Sequence, residues 1–156
     1  MTTIVVTNRK GGVGKTTITV HAAVGLNLRG YRVGIVDTDP QGHIALVLGL
    51  EKEDGLYRIM LDKSARLSDV LRVADPIRYA PTGYPVDPEN PLYVLPSNIG
   101  TAIIPYEQRS PLRFKKVLDD MYRLLKLDYV FVDTGPSSNM FDGSVNVAAD
   151  GFIYAT

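Results

Sequence analysis

Cysteine is absent from the 156-residue chain, and so is tryptophan. A chain without cysteine forms no disulfide, has no thiolate nucleophile and ligates no zinc ion or iron–sulfur cluster through sulfur. Histidine is scarce: His21 and His43 are the two in the sequence. Because their spacing matches no metal-binding pattern, we interpret both as structural. These shortages exclude thiol chemistry and argue against metal centres built on sulfur or histidine.

An excess of charge of either sign is also missing. Seventeen Lys and Arg balance seventeen Asp and Glu, so the chain as a whole lacks the electrostatic footprint of a general nucleic-acid binder. No apolar run approaches the roughly 20 residues that cross a bilayer. The N-terminus lacks both a basic region ahead of its apolar stretch and a small-residue cleavage site. We therefore expect a cytoplasmic protein with no membrane partner, on which any basic patch is local.

The chain has the composition of one globular domain, with 45% hydrophobic and 22% charged residues. Short apolar runs predict buried strands at 3–7, 31–37, 92–95, 129–133 and 151–156. Periodic apolar patterns and their flanking residues predict helices at 15–29, 43–48, 56–61, 67–72 and 112–125. The apolar face predicted for the last helix consists of Phe114, Val117, Leu118, Met121, Leu124 and Leu125.

Two further features fix the expected architecture. The opening strand–helix–strand order predicts a βαβ unit and hence a parallel sheet. Eight of the ten prolines lie from Pro76 to Pro111, so we predict mostly loop there around the one short strand. The fold class expected from the residues is thus α/β, with a parallel sheet.

A glycine-rich segment, Lys-Gly-Gly-Val-Gly-Lys-Thr-Thr, stands between the first strand and the first helix. Glycines let the backbone turn tightly and direct N–H groups inward, and the helix N-terminus adds partial positive charge, so such a loop cradles a polyphosphate. Lys15 supplies a charge to the β- and γ-phosphates, and the Thr16 hydroxyl is placed to bind Mg²⁺. The alternative is a glycine turn that binds nothing. The predicted phosphate-binding residues are Lys10, Gly11, Gly12, Val13, Gly14, Lys15, Thr16 and Thr17.

Acidic residues end two of the predicted strands. Asp37-Thr38-Asp39-Pro40-Gln41-Gly42 follows the second strand, and Asp133-Thr134-Gly135-Pro136-Ser137 follows the strand at 129–133. Carboxylates at the carboxyl ends of parallel strands face the crevice where such sheets bind ligands. We predict that Asp39 orients an attacking water and that Asp37 and Asp133, with Thr16, hold Mg²⁺. The alternative is that these aspartates only cap loops and helices.

The pattern Lys-Gly-Gly-x-Gly-Lys-Thr resembles the deviant Walker A motif of ParA, MinD, the nitrogenase iron protein and their relatives. Asp-x-Asp-Pro-Gln-Gly and the later Leu95-Pro96-Ser97-Asn98 resemble ParA more closely. The resemblance implies a three-layer, parallel-sheet P-loop NTPase fold lacking its C-terminal third, with residues 1–156 as a single nucleotide-binding domain. It also implies that Lys10 reaches across a dimer to the partner's phosphates, so that Lys10, Lys15 and Asp39 form the catalytic set. The alternative for Lys10 is a solvated surface lysine.

The function implied by the resemblance is that of a slow ATPase for plasmid or chromosome partition. Mg-ATP binding would drive homodimerisation and nonspecific DNA binding, mainly through the missing C-terminal part. Hydrolysis, stimulated by a ParB-like activator protein, would reset the switch, and DNA binding would associate the protein with the nucleoid. Two alternatives stay open: a MinD-like ATPase that positions machinery at a membrane, and a nucleotide-binding scaffold without turnover.

Two further groups are weaker candidates for nucleic-acid contact. A basic helical face would touch DNA phosphates, although a solvated polar face is the commoner use of such residues; its members are Arg109, Arg113, Lys116 and Arg123. Four tyrosines of the proline-rich region could stack bases, although packing of the loops is commoner; these are Tyr79, Tyr84, Tyr93 and Tyr106.

Overall fold

Apolar runs and glycine-containing loops alternate along the chain, and they become strands and helices in a computed structural model that describes residues 2–108, 110–136 and 140–156. The strands are Thr2–Thr7 (β1), Val33–Asp37 (β2), Arg72–Val73 (β3), Tyr93–Leu95 (β4), Tyr129–Asp133 (β5) and Gly151–Tyr154 (β6). The helices are Lys15–Asn27 (α1), His43–Val47 (α2), Gly55–Leu61 (α3), Leu67–Val70 (α4), Ile104–Glu107 (α5), Arg113–Leu125 (α6) and Met140–Ala148 (α7).

The strands of the described residues form one sheet in the order β3-β4-β2-β5-β1-β6. The pairs β4-β2, β2-β5, β5-β1 and β1-β6 are all parallel, so the predicted parallel sheet is confirmed for these strands. Because parallel strands share one direction, the segments that follow β1, β2, β4 and β5 all emerge at the same edge. That edge holds the glycine-rich segment after β1, segment 37–42 after β2, segment 95–98 at the end of β4 and the described residues that follow β5.

Each face of the sheet is covered by helices. Alternate residues of a strand point to opposite faces, and both neighbours are buried here: Val5 and Val36 belong to one core, Val6 and Ile35 to the other. Residues of α3, α6 and α7 pack in the first core, and residues of α1 and α2 pack in the second. The architecture is therefore three-layered.

The proline-rich region contains more structure than the predicted loop. It includes the short 3₁₀ turns Pro76–Arg78 and Ile99–Ile103, and α5 continues from the second turn. The predicted helix at 67–72 is wrong at its end, because it stops at Val70 and Arg72–Val73 pairs antiparallel with β4 instead. In this extended segment the Arg72 guanidinium forms an ion pair with Glu53 and donates to the Asp69 carbonyl oxygen of α4 at 3.1 Å.

Helix α6 confirms most of its predicted apolar face. Phe114, Val117, Leu118 and Met121 are buried, and Leu125 packs against the same core. Leu124 departs from the prediction, because 58% of its surface is exposed. Every helix among the described residues falls short of the length or hydrophobicity needed to traverse a bilayer.

Candidate nucleotide-binding site

The glycine-rich segment forms an open loop between the end of β1 and the start of α1. Gly12 and Gly14 have φ angles of 73° and 87°, and a Cβ placed on either would meet no atom within 4 Å. Positive φ is readily adopted by glycine, so these two residues let the loop turn tightly around an open space. The resulting cleft has a volume of about 450 Å³ and is lined by Gly11, Gly12, Gly14, Lys15, Thr16, Thr17, Asp39, Gln41, His43 and Pro136.

The two lysines of the loop differ in their surroundings. Lys15 is buried, with 7% of its surface exposed, and its Nζ donates to the Lys10 carbonyl oxygen at 3.1 Å. Lys10 is exposed, and its backbone N–H donates to Asn8 Oδ1 at 2.8 Å. The Lys15 ammonium therefore lies against the loop, whereas Lys10 is open to solvent.

Thr16 connects the loop to the end of β5. Its hydroxyl donates to Asp133 Oδ2 at 2.7 Å, and the Thr19 hydroxyl, one turn along α1, donates to Asp133 Oδ1 at 2.9 Å. Burial raises the pKa of Asp133, and the two threonine hydrogen bonds oppose that rise. Thr19 is not among the site residues predicted from the sequence; its spacing of three residues from Thr16 on a helix is the signal that identifies it.

Asp37 is wholly buried at the end of β2, directly beside Asp133 in the register of the sheet. Its Oδ1 accepts from the Asp39 N–H at 2.9 Å and its Oδ2 from the Ile44 N–H at 3.1 Å. Burial, with a smaller contribution from the negative charge of Asp133, raises the pKa of Asp37 to about 7. Both oxygens thus organise the loop of residues 37–42, here called the acidic loop, and a direct metal contact would require one of these bonds to break.

Asp39 lines the same cleft as the glycine-rich loop of residues 10–17, which is called the phosphate loop below. Its Oδ1 accepts from the Gln41 N–H at 2.9 Å, and 9% of the residue is exposed. The turn that carries Asp39 is closed by a hydrogen bond from the Gly42 N–H to the Asp39 carbonyl oxygen at 3.0 Å. The structure therefore brings Lys15, Thr16 and Asp39 to one cleft, with Asp133 directly behind Thr16.

A family model described as an AAA domain matches residues 1–156. The chain belongs to this AAA-domain family. Among curated relatives, the sporulation initiation inhibitor protein Soj of Bacillus subtilis is 32% identical over 158 residues, covering 96% of this chain and 56% of that protein. The chromosome-partitioning ATPase Soj of Treponema pallidum is 32% identical over 139 residues, covering 86% of this chain and 49% of that protein. The chain spans about half the length of these relatives.

The solved structures agree on the fold of this family member. Cobyrinic acid a,c-diamide synthase from Mycobacterium smegmatis, with bound ATP analog and magnesium, aligns with 100% of this chain and 60% of its own at a TM-score of 0.81. At 24% identity this likeness shows the fold alone. The predicted three-layer P-loop fold is confirmed, and the family and the Soj relatives confirm the resemblance to ParA-like partition ATPases.

Oxygen donors at the site suit a magnesium ion. Mg²⁺ prefers hydroxyl, carboxylate and phosphate oxygens and is usually held by one or two protein groups together with substrate phosphates. Thr16 and Asp133 offer such a pair, 2.7 Å apart beside the phosphate loop. In the described parts of the chain, no three or more His, Asp or Glu side chains are grouped so as to hold a metal by themselves.

The basic face predicted for α6 is not a continuous patch in the part of the helix that is described. Arg113 turns inward and donates to the Ile59 carbonyl oxygen at 2.6 Å, while Lys116 and Arg123 both lie within ion-pair distance of Asp120. Arg109 and Ser137 lie outside the described residues. Of the tyrosines, Tyr79 and Tyr84 donate to the C-terminal end of α1, which is the packing alternative.

Proposed function

We propose that residues 1–156 are the nucleotide-binding domain of a ParA-type partition ATPase that binds and hydrolyses Mg-ATP. The observation that carries the proposal is the Thr16–Asp133 hydrogen bond, which joins the start of α1 to the end of β5 within a glycine-lined cleft. A turn that bound nothing would not need a buried carboxylate behind its helix terminus. The name of the Treponema pallidum relative, chromosome-partitioning ATPase Soj, supports partition as the process.

The loop and the first turn of α1 would hold the phosphates. The first N–H groups of a helix have no partner within the helix, and they carry partial positive charge toward an anion. We assign phosphate contacts to the backbone of 10–17 and to Lys15 Nζ, which would exchange the Lys10 carbonyl for a phosphate oxygen. ATP with magnesium is the ligand that this donor set fits, in agreement with the ATP analog and magnesium bound by the diamide synthase.

Mg²⁺ would be held by Thr16 and Asp133, with Asp37 beside them in the sheet. When bound, such an ion neutralises charge on the phosphate oxygens. The protein's own contribution is positional: the Thr19 hydroxyl holds the second oxygen of Asp133 and so fixes the carboxylate plane. Asp39, whose orientation is set by the Gln41 N–H, would orient the attacking water.

The exposure of Lys10 supports a dimeric switch. Because this residue at the start of the loop is open to solvent, its side chain could reach the phosphates of a second copy. We propose an ATP-dependent homodimer, nonspecific DNA binding by the dimer of the whole protein, and stimulation by a ParB-like activator. The protein would work in the cytoplasm on the nucleoid.

Binding is tested by replacing Lys15 with alanine. Because Lys15→Ala removes the buried ammonium of the loop, we expect binding of Mg-ATP, measured by calorimetry, to be lost. Lys116→Ala is the matched control, since that lysine lies on α6 in an exposed ion pair, and it should bind as the wild type does. Equal affinity in Lys15→Ala and the wild type would contradict the proposed site.

Turnover is tested by replacing Asp39. Asp39→Ala should keep its affinity for Mg-ATP within a few-fold and lose phosphate release by roughly 100-fold or more, because orientation supplies much of the rate of phosphoryl transfer. A colorimetric phosphate assay measures this change. If wild type binds Mg-ATP without releasing phosphate, and Asp39→Ala behaves identically, the scaffold alternative is correct.

A further inference from the structure

We propose that Thr38, Ser97 and Thr134 are positioning residues. Their buried hydroxyl groups hold together the segments that carry the site at the carboxyl ends of the strands. Ser97 Oγ donates to the Asp39 carbonyl oxygen at 2.6 Å. Thr38 Oγ1 donates to the Asp133 carbonyl oxygen at 2.7 Å, and Thr134 Oγ1 donates to the Val6 carbonyl oxygen at 2.9 Å. We call these three contacts the hydroxyl bridges.

The hydroxyl bridges run in series across the sheet. Ser97 follows β4 and bonds to the segment after β2; Thr38 follows β2 and bonds to the last residue of β5; Thr134 follows β5 and bonds to β1. Since β4, β2, β5 and β1 are consecutive neighbours, each bridge joins one strand to the next. Together they connect the segment after β4 to the strand that leads into the phosphate loop.

Each bridge lies at or beyond the point where strand pairing ends. The last paired residues are Val36 with Leu95, Asp37 with Asp133, and Val6 with Asp133. Past these pairs the chains leave the sheet to form the loops of the site. One backbone hydrogen bond, from the Thr38 N–H to the Asp133 carbonyl oxygen at 2.9 Å, still joins β2 to β5 beside the Thr38 bridge. A side-chain donor on the first or second residue after the strand continues the connection.

The three hydroxyl bridges are buried, so the loss of one is not compensated by water. Ser97 is 0% exposed, and Thr38 and Thr134 are 8% and 7% exposed. Where water has no ready access, it cannot replace a lost donor, so removing the hydroxyl leaves a buried carbonyl oxygen with one partner fewer. The same substitution on the surface would be compensated by solvent.

The Ser97 bridge is supported from both sides. A Cβ on Gly42 would lie 2.5 Å from the Ser97 carbonyl oxygen, so the acidic loop touches this segment closely. On the other side, the Leu56 N–H at the start of α3 donates to the Pro96 carbonyl oxygen at 2.9 Å. Segment 96–97 is thus held between the acidic loop and α3, and Ser97 transmits that fixed position to Asp39.

The consequence for the site rests on the proposed function. The hydroxyls of Ser97, Thr38 and Thr134 donate to backbone carbonyl oxygens, so we assign them to placing Asp39 and Asp133 relative to the phosphate loop and not to contact with nucleotide or metal. Loss of the Ser97 or the Thr38 bridge should therefore disturb water orientation and metal geometry more than phosphate binding, which depends on the loop itself. The expected signature is a fall in kcat with little change in the affinity for Mg-ATP.

The first test needs no nucleotide. Amide hydrogen exchange of the wild type is compared with Ser97→Ala, Thr38→Val and Thr134→Val, which remove one hydroxyl each. In Ser97→Ala and Thr38→Val we expect about tenfold faster exchange at the Asp39, Gln41 and Ile44 amides. In Thr134→Val we expect the same acceleration at the amides of 8–17. A change of about tenfold corresponds to the loss of one hydrogen bond. Thr38→Ser and Thr134→Ser keep the donor and should retain wild-type exchange.

Thr101→Val is the matched control. Thr101 is 2% exposed, and its hydroxyl has no hydrogen-bond partner among the described residues, so the substitution removes a buried hydroxyl without breaking a bridge. Its exchange at the acidic and phosphate loops should equal that of the wild type. Unchanged exchange in all three bridge variants, or an equal change in Thr101→Val, would overturn the proposal. So would Thr→Val variants that fail to fold while the Thr→Ser variants fold, since the hydroxyls would then support the whole fold and not the site.

The second test uses Mg-ATP. Ser97→Ala and Thr38→Val should bind within about threefold of the wild type and release phosphate at least about tenfold more slowly, as expected for displaced catalytic groups. Equal losses of affinity and rate would contradict positioning. A wild type that neither binds nor hydrolyses ATP would refute the proposed function, and the exchange experiment would still decide on the hydroxyl bridges.

Discussion

At Gly42, the absence of a side chain lets the acidic loop close against the segment after β4. The residue has a φ of 61°, and a Cβ placed on it would lie 2.5 Å from the Ser97 carbonyl oxygen. An L-residue with this φ costs roughly 1–2 kcal/mol, and crowding a packed site costs roughly 1–3 kcal/mol more. We expect Gly42→Ala to lower the free energy of unfolding by at least about 2 kcal/mol, measured by urea denaturation.

Gly83 separates the two contributions. Its φ of 76° is also left-handed, yet a Cβ there would meet nothing within 4 Å. Gly83→Ala should therefore show the conformational cost alone, roughly 1–2 kcal/mol. Equal losses in the two variants would mean that the Gly42–Ser97 contact adds nothing to stability.

Helix α3 depends on a side chain from another helix. Arg113 of α6 donates from Nη2 to the Ile59 carbonyl oxygen at 2.6 Å and from Nε to the Met60 carbonyl oxygen at 3.4 Å. Both carbonyls belong to the last turn of α3, where intrahelical donors run out. A hydrogen bond from a charged group to a partly buried carbonyl contributes roughly 1.5–3 kcal/mol. We expect Arg113→Ala to lower the free energy of unfolding by that amount in a denaturant titration.

Arg123→Ala provides the comparison within the same helix. Arg123 is 75% exposed at its side chain and lies 3.8 Å from Asp120, and surface ion pairs of this kind contribute little. Its replacement should change stability by less than about 0.5 kcal/mol. A loss for Arg123→Ala as large as that for Arg113→Ala would show that the inward contact of Arg113 is not the cause.

The sequence predicts those elements whose pattern is local. Strand β5 has the predicted bounds, and α6 begins one residue later than predicted, because a buried strand and an amphipathic helix each carry their own periodicity. The turn at Ile99–Ile103 and α5 have no such pattern and lie among prolines, so they were predicted as loop. Strand β3 depends on pairing with β4, some twenty residues away along the chain, which no local pattern reveals.

At the scale of the whole molecule, the order of motifs predicts which loops meet, but it does not predict how they are joined. Parallel strands bring the ends of β1, β2 and β5 to one edge, and this follows from the βαβ pattern. The contacts of Thr19, Ser97 and Thr134 with this edge arise between residues 58 to 128 positions apart. Serine and threonine have many ordinary uses, so their types alone indicated no such role.

The proposed switch predicts a change in mass. The 17.1 kDa chain should be monomeric without nucleotide and double its mass with Mg²⁺ and a slowly hydrolysed ATP analogue, measured by light scattering after size exclusion. The reason is that the exposed Lys10 ammonium would compensate the phosphate charge of a second copy, which only bound nucleotide provides. A ligand shared between two copies thus favours the dimer by its differential contacts.

Lys10→Ala tests the origin of that dimer. The variant retains Lys15 and the loop backbone, so it should bind the analogue with wild-type affinity and remain monomeric, whereas Lys116→Ala should dimerise like the wild type. Raising the salt concentration should weaken the wild-type dimer, because an exposed charge contact is screened over about 8–10 Å at moderate ionic strength. A Lys10→Ala protein that doubles its mass at the same analogue concentration as the wild type would show that some other surface joins the two copies.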